Sequence, residues 1–241
     1  MRYLLVLIIF LIPDQVIFSQ VQPSIYLSGN AAAENLNQII NMQPLTQGGT
    51  GFDTRYEGVK GSPRLFEKLV PGFVKINSRE EYFKLEINLD VFQNRLLFSH
   101  PKTGKLLSLP SSSVNEIIIN TDSIEGLYRT TANLKFEKDF KDVKFCQILY
   151  DGPYKLIKIP FKVFNEADYK KAYSVDRRYD EFETSINYYI MTSDNIFHSF
   201  RLSTKSLTKL FPDKKSLIEK IASGSPDKND EEKIILILSK L

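Results

Sequence analysis

The chain has 241 residues, 42% of them apolar, and its 32 basic and 29 acidic residues leave a net charge of +3. That balance excludes the concentrated basic face that nucleic-acid binding requires, so no nucleic acid is expected as a partner. The single cysteine, Cys146, excludes a disulfide framework and the usual structural zinc site, so the fold must rest on an apolar core.

Residues 1–19 read as a secretory signal peptide. Arg2 supplies the positive start, Leu4 to Ile12 is an unbroken apolar stretch, and Pro13 ends it. Ile17 and Ser19 suit cleavage after Ser19, and the apolar stretch is too short to span a bilayer, which takes about 20 residues. Cleavage removes one basic and one acidic residue, Arg2 and Asp14, and so leaves the net charge unchanged. The expected location is exported: periplasmic, envelope-associated or extracellular, and not integral to a membrane. Residues 20–60 are read as a polar, partly ordered leader that contains one helix-like segment from Ala31 to about Asn41. Gln47-Gly48-Gly49-Thr50-Gly51 lacks the strand before it and the Gly-Lys-Ser/Thr after it that a phosphate loop needs, and reads as linker.

An antiparallel β domain is expected over 61–203. Phe83, Leu85, Ile87 and Leu89 alternate with Tyr82, Lys84, Glu86, Asn88 and Asp90, which places four apolar side chains on one face of a half-buried strand. Further strands are predicted at Arg95–Ser99, Lys105–Leu109, Val114–Ile119, Leu134–Lys138, Val143–Tyr150, Tyr154–Phe164, Ile186–Met191 and Ile196–Leu202. Turn chemistry separates many of them: Phe92-Gln93-Asn94, the run from His100 to Gly104, Asp151-Gly152 and Ser193-Asp194-Asn195. Pro153 has no N–H to close a two-residue turn, so the hairpin at Asp151-Gly152 should be wider. Spacing this short leaves no room for crossover helices. The predicted fold is therefore mainly β (α+β): a meander of nine or ten strands forming an open barrel or curved sheet, with a two-sheet sandwich as the alternative.

After Ser203 the apolar period becomes helical. Leu207, Leu210 and Phe211 mark a short helix stopped by Pro212; Leu217, Ile218 and Ile221 mark a second. Acidic residues from Asp227 to Glu232 open a third, with Ile234, Ile237, Leu238 and Leu241 in one stripe. Residues 204–241 are thus expected as a helical tail of two or three helices packed on the sheet.

Three segments are more distinctive: Phe52-Asp53-Thr54-Arg55-Tyr56-Glu57-Gly58-Val59-Lys60-Gly61-Ser62-Pro63, Ser174-Val175-Asp176-Arg177-Arg178-Tyr179-Asp180-Glu181-Phe182, and Leu210-Phe211-Pro212-Asp213-Lys214-Lys215. Together they resemble a group of secreted Bacteroidota proteins of unknown function. In that group a Y-E-G-x-K-G-S-P segment precedes the β region, an R-Y-D-E-F loop precedes a Tyr-Tyr strand (here Tyr188-Tyr189), and a lysine-rich helical tail ends the chain. The resemblance implies an envelope location in a Gram-negative cell and brings no activity with it.

No catalytic set stands out. His100 lies in a turn, and His198 shares a strand face with Ile196, Phe200 and Leu202 and is expected as a satisfied core residue. Cys146 sits in a strand-like run and reads as a small buried apolar residue. Asp176, Asp180, Glu181 and Glu183 lie within eight residues, and two acids at a suitable separation could perform glycoside hydrolysis, but such acids must flank a cleft, Arg177 and Arg178 stand among them, and a mutually neutralised loop is the plainer reading. The acids lack calcium-loop spacing. No cofactor or metal is expected. Tyrosine clusters (Tyr169, Tyr173, Tyr179 and Tyr188-Tyr189) fit sugar or peptide stacking, and equally an ordinary half-buried sheet.

The function expected is a non-catalytic binding module that meets an envelope protein, peptide or glycan by its sheet edge or aromatic surface. A hydrolase using Asp176, Asp180 or Glu181, and a carrier of an apolar ligand inside a β-barrel, are the alternatives. The candidate interaction surface is Asp53, Arg55, Tyr56 and Glu57 with Asp176, Arg177, Arg178, Asp180 and Glu181. Charge pairing between these two segments would also pin the leader onto the domain.

Overall fold

A computed structural model of the chain describes Pro23 and residues 25–42, 58–167 and 179–241. The fold is mainly β. Eleven strands form one sheet: β1 (Tyr26–Leu27), β2 (Val70–Ile76), β3 (Tyr82–Asp90), β4 (Arg95–Ser99), β5 (Leu106–Pro110), β6 (Val114–Asn120), β7 (Glu125–Thr130), β8 (Phe145–Tyr150), β9 (Leu156–Asn165), β10 (Glu181–Met191) and β11 (Phe197–Phe200). Among the described residues four α-helices accompany it: α1 (Gly29–Met42), α2 (Thr204–Leu210), α3 (Lys215–Ser223) and α4 (Asp230–Leu238). None of the described helices is long and apolar enough to cross a membrane.

The ladder runs β11-β10-β9-β8-β7-β6-β2-β3-β4-β5, antiparallel throughout, with β1 added in parallel to the start of β3. Two meanders, β2–β5 and β6–β11, are therefore joined by laying β6 against β2. Only Ser111–Ser113 link β5 to β6. Four strand spacings of about 4.8 Å separate those strands along the ladder, roughly 19 Å, whereas the four virtual bonds from Pro110 to Val114 reach about 14 Å. The first meander must therefore curl until β5 returns toward β2 and β6. The sheet remains open, with β5 and β11 at its ends.

The curled half encloses Val74, Phe83, Leu85, Ile87, Leu89, Leu96, Phe98, Leu109, Ile117 and Ile119, all buried. Helix α1 closes this cluster by inserting Ala32, Leu36 and Ile39. The leader's helix is thus a core element and more than a tether. Over β8–β11 the face on that same side of the ladder is covered by α2–α4 through Leu207, Ile218, Ile234, Ile237 and Leu238, which meet Leu149, Leu156, Ile190 and Phe200. The opposite face there carries Cys146, Ile148, Ile157 and Ile159, packed under Leu134, Phe136 and Phe140 of the β7–β8 connection.

Several expectations need correction. Leu134–Lys138 is no ladder strand; it makes one parallel bridge, Phe136 to Phe197, along the outer edge of β11. β2 escaped sequence reading because Pro71-Gly72 looks like punctuation. Gly72 makes room there, since a Cβ would come within 2.8 Å of Ile87 Cδ1, which would have to shift, and within 3.3 Å of the Ile118 carbonyl. β7 (Glu-Gly-Leu-Tyr-Arg-Thr) carries no alternating pattern and is held as a strand by its partners β6 and β8. β10 begins at Glu181, five residues before its apolar signal.

The polar side of β3 is not all solvent-facing. Asn88 is fully buried and Asp90 nearly so, because residues 62–68 cross this end of the strand. Asn88 Nδ2 donates to the carbonyls of Phe66 (2.8 Å) and Lys68 (3.1 Å), and its Oδ1 accepts from the N–H groups of Phe66 (3.1 Å) and Leu89 (2.8 Å). One amide therefore satisfies an irregular segment that would otherwise bury unpaired backbone.

Candidate functional site

Asp53, Arg55, Tyr56, Glu57, Asp176, Arg177 and Arg178 lie outside the described residues, as do Gly48–Gly51, Tyr169, Tyr173 and the signal-peptide segment. The inner ends of the two distinctive segments are described, and the structure brings them together. Lys60 bridges Glu181 in parallel: its N–H donates to the Asp180 carbonyl (2.9 Å) and its carbonyl accepts from Phe182 N–H (2.9 Å). Lys60 Nζ also lies 3.1 Å from Glu181 Oε1. Gly61 permits this approach. Its φ is +81°, and a Cβ there would stand 2.8 Å from the Phe182 carbonyl oxygen.

Asp180 and Glu181 do not converge on a common point. The Asp180 carboxylate accepts from Ala167 N–H at 2.7 Å and so ties the end of β9 to the start of β10, while Glu181 faces Lys60. Glu183 accepts from Asn165 Nδ2 (3.3 Å). Each described acid of this cluster thus holds backbone or a neighbouring side chain.

β9 and β10 pair from Leu156 to Asn165, but β8 reaches only as far as Lys158 and β11 only from Tyr188 onward. Their far ends therefore project as a two-stranded ribbon. On the ribbon face that carries Phe164 and Phe182, Phe182 packs its ring against Phe92 (5.2 Å) and Phe164 (5.1 Å). Ile186 and Val163 remain about two-fifths exposed, and Tyr179 two-thirds.

The two edges of the ribbon differ. Because Phe182 N–H points to Lys60, the even residues of β10 direct their backbone groups away from β9, and Thr184 and Ile186 follow by alternation. Among the described residues no backbone group pairs with the outward N–H and C=O of either one. The outer edge of β9 instead carries Pro160, which has no N–H and blunts that edge. Lys162 turns away from it across the ribbon, donating to Thr184 Oγ1 at 2.6 Å.

The histidines occupy structural positions. His100 is buried in its hairpin, where Nδ1 accepts from the N–H groups of Lys102 (3.3 Å) and Thr103 (3.2 Å); Nε2 therefore carries the proton and donates to Asn37 Oδ1 at 3.2 Å. His198 is no core residue. It is part-exposed with a carboxylate at each nitrogen, Asp194 at 2.9 Å and Glu137 at 3.3 Å, and these acids raise its pKa above the ordinary 6.5. Hydrogen bonds and the imidazole in turn hold Asp194 down at about 2.

Cys146 is fully buried, and burial pushes its thiol up to about 12, out of the nucleophilic range. Tyr188 and Lys158 both donate to Glu231 Oε1 (2.6 and 2.8 Å), anchoring the start of α4 to the sheet. Tyr189 packs edge-on to Phe136 (5.3 Å). These tyrosines are framework. Among the described residues no group of three His, Cys, Asp or Glu side chains stands together in a way that could hold a metal ion. No family model, curated protein or solved structure matches the chain.

Proposed function

We propose that the protein is an exported, non-catalytic binding module of a bacterial envelope that takes its partner along the open edge of β10. The carrying observation is the stretch 183–187 between the Lys60 bridge and β11, with outward backbone groups at Thr184 and Ile186 and an exposed Ile186 side chain. An unpaired strand edge is a template for another strand, and the backbone supplies affinity there without any catalytic group. The signal-peptide pattern and the resemblance to secreted Bacteroidota proteins support the address. The separate structural duties of Asp180 and Glu181 support a non-catalytic role over a hydrolase. The open sheet, whose enclosed face is filled by α1 and α2–α4, favours surface binding over a carrier.

The test is position-specific photo-crosslinking in native envelope, with the crosslinker at Ile186 and, as a control, at Leu217, which is also exposed but lies on α3. A discrete adduct at 186 and none at 217 is expected. No adduct at either position, together with no stoichiometric partner on co-purification, would refute the reading.

A further inference from the structure

The amine beside that edge narrows the partner. Lys162 makes its hydrogen bond to Thr184 Oγ1, and among the described residues no carboxylate lies within ion-pair distance of it. Partial burial lowers the pKa of this amine, so the ammonium has lost part of its hydration. Its place matters as much as its charge. Lys162 and Thr184 are cross-strand partners, and the 2.6 Å contact carries the ammonium over β10 toward the open edge. A strand added outside β10 sets the residue opposite Thr184 on the same face, with its Cβ about 5 Å from that of Thr184. A short acidic side chain at that point reaches the ammonium. Two residues along, the residue opposite Ile186 meets the exposed Ile186 side chain, whose cross-strand partner is the buried Pro160.

Resting on the reading of β10 as a binding edge, we infer that the partner is an extended peptide segment that adds as a strand between Lys60 and β11. It places an Asp or Glu opposite Thr184, beside Lys162, and an apolar residue opposite Ile186. The open stretch of five residues spans about 17 Å, enough for one short strand. The acid and the apolar residue stand two positions apart, as the pleat requires. A basic residue opposite Thr184 would face Lys162 and be rejected, so the amine also sets specificity.

The probe is an acetylated, amidated heptapeptide of threonines with valine and glutamate two positions apart, made in both sequence directions and titrated by fluorescence anisotropy against the purified protein. One direction should bind. Replacing glutamate by glutamine should weaken binding about fivefold, the worth of a partly exposed ion pair, and replacing it by lysine should weaken binding further. Lys162→Met should keep the peptide bound and remove the glutamate-over-glutamine preference. Ile186→Pro, which deletes an outward N–H together with the apolar side chain, should abolish binding. The same peptide N-methylated on the amides facing β10 should also fail, and this control does not depend on the folding of any variant. Equal binding of the glutamate and glutamine peptides, or a preference that survives Lys162→Met, would overturn the acidic-peptide inference. Failure of every peptide while the 186-specific adduct still forms in envelope would overturn strand addition alone; failure of both would remove the binding-module reading as well.

Discussion

Replacing Asn88 with alanine tests how residues 62–68, which lead from the Lys60 bridge to β2, are held. Asn88 is fully buried and spends three of its four hydrogen bonds on the backbone of Phe66 and Lys68. Each such bond contributes about 1 kcal/mol net, so Asn88→Ala should cost about 3 kcal/mol, and more where the stranded Phe66 and Lys68 groups stay dry. Urea denaturation followed by tyrosine fluorescence gives the loss, with the slope expected to remain near the wild-type value because the surface exposed on unfolding hardly changes. Asn115→Ala, on the exposed side of β6, is the control and should stay within about 0.5 kcal/mol. Limited proteolysis supplies an independent readout: cleavage should appear between residues 62 and 69 in the Asn88 variant before any other new site. A loss under about 1 kcal/mol, or no new cleavage in that stretch, would refute the claim that one buried amide fastens it.

Leu36→Ala should cost about 2–5 kcal/mol by calorimetry or denaturant titration, since Leu36 is fully buried against the curled half of the sheet; no loss would mean that α1 is not part of the core. His198 bonds both carboxylates only as the imidazolium, and its folded pKa is raised. Its contribution is therefore complete below about pH 6.5 and lost as the pH rises through the folded value. The stability gap between wild type and His198→Gln should accordingly be larger at pH 5.5 than at pH 8.5, at under about 1 kcal/mol for so exposed a group; a gap independent of pH would refute the pairing. Cys146 should resist a thiol reagent in the folded protein and react on unfolding, and labelling at native rates would contradict its burial. N-terminal sequencing of exported material should begin at Gln20, and retention of residues 1–19 would exclude the cleaved signal.

Local pattern was sufficient wherever one element carried its own signal. The alternation from Tyr82 to Asp90, the run Arg95–Ser99, the turn residues at Asn94 and Asn195 and the apolar stripe of α4 are short-range consequences of pleat, left-handed turn geometry and helical pitch, and the structure has them where the sequence places them. What depends on distant partners was not legible. β7 and the first half of β10 are strands because their neighbours supply hydrogen bonds, and the pairing of β6 with β2 follows from a three-residue link that only a curled sheet can satisfy. Asn88 reads as a solvent-facing residue until the 62–68 segment is laid across it. The candidate site divides in the same way. The sequence by itself singled out Asp180 and Glu181 and the idea of a sheet edge. Only the tertiary structure decided that Lys60 binds the start of β10, that β11 stops short of it, and that Lys162 reaches across to Thr184 beside the gap, because a strand's free edge is defined by where its neighbours end.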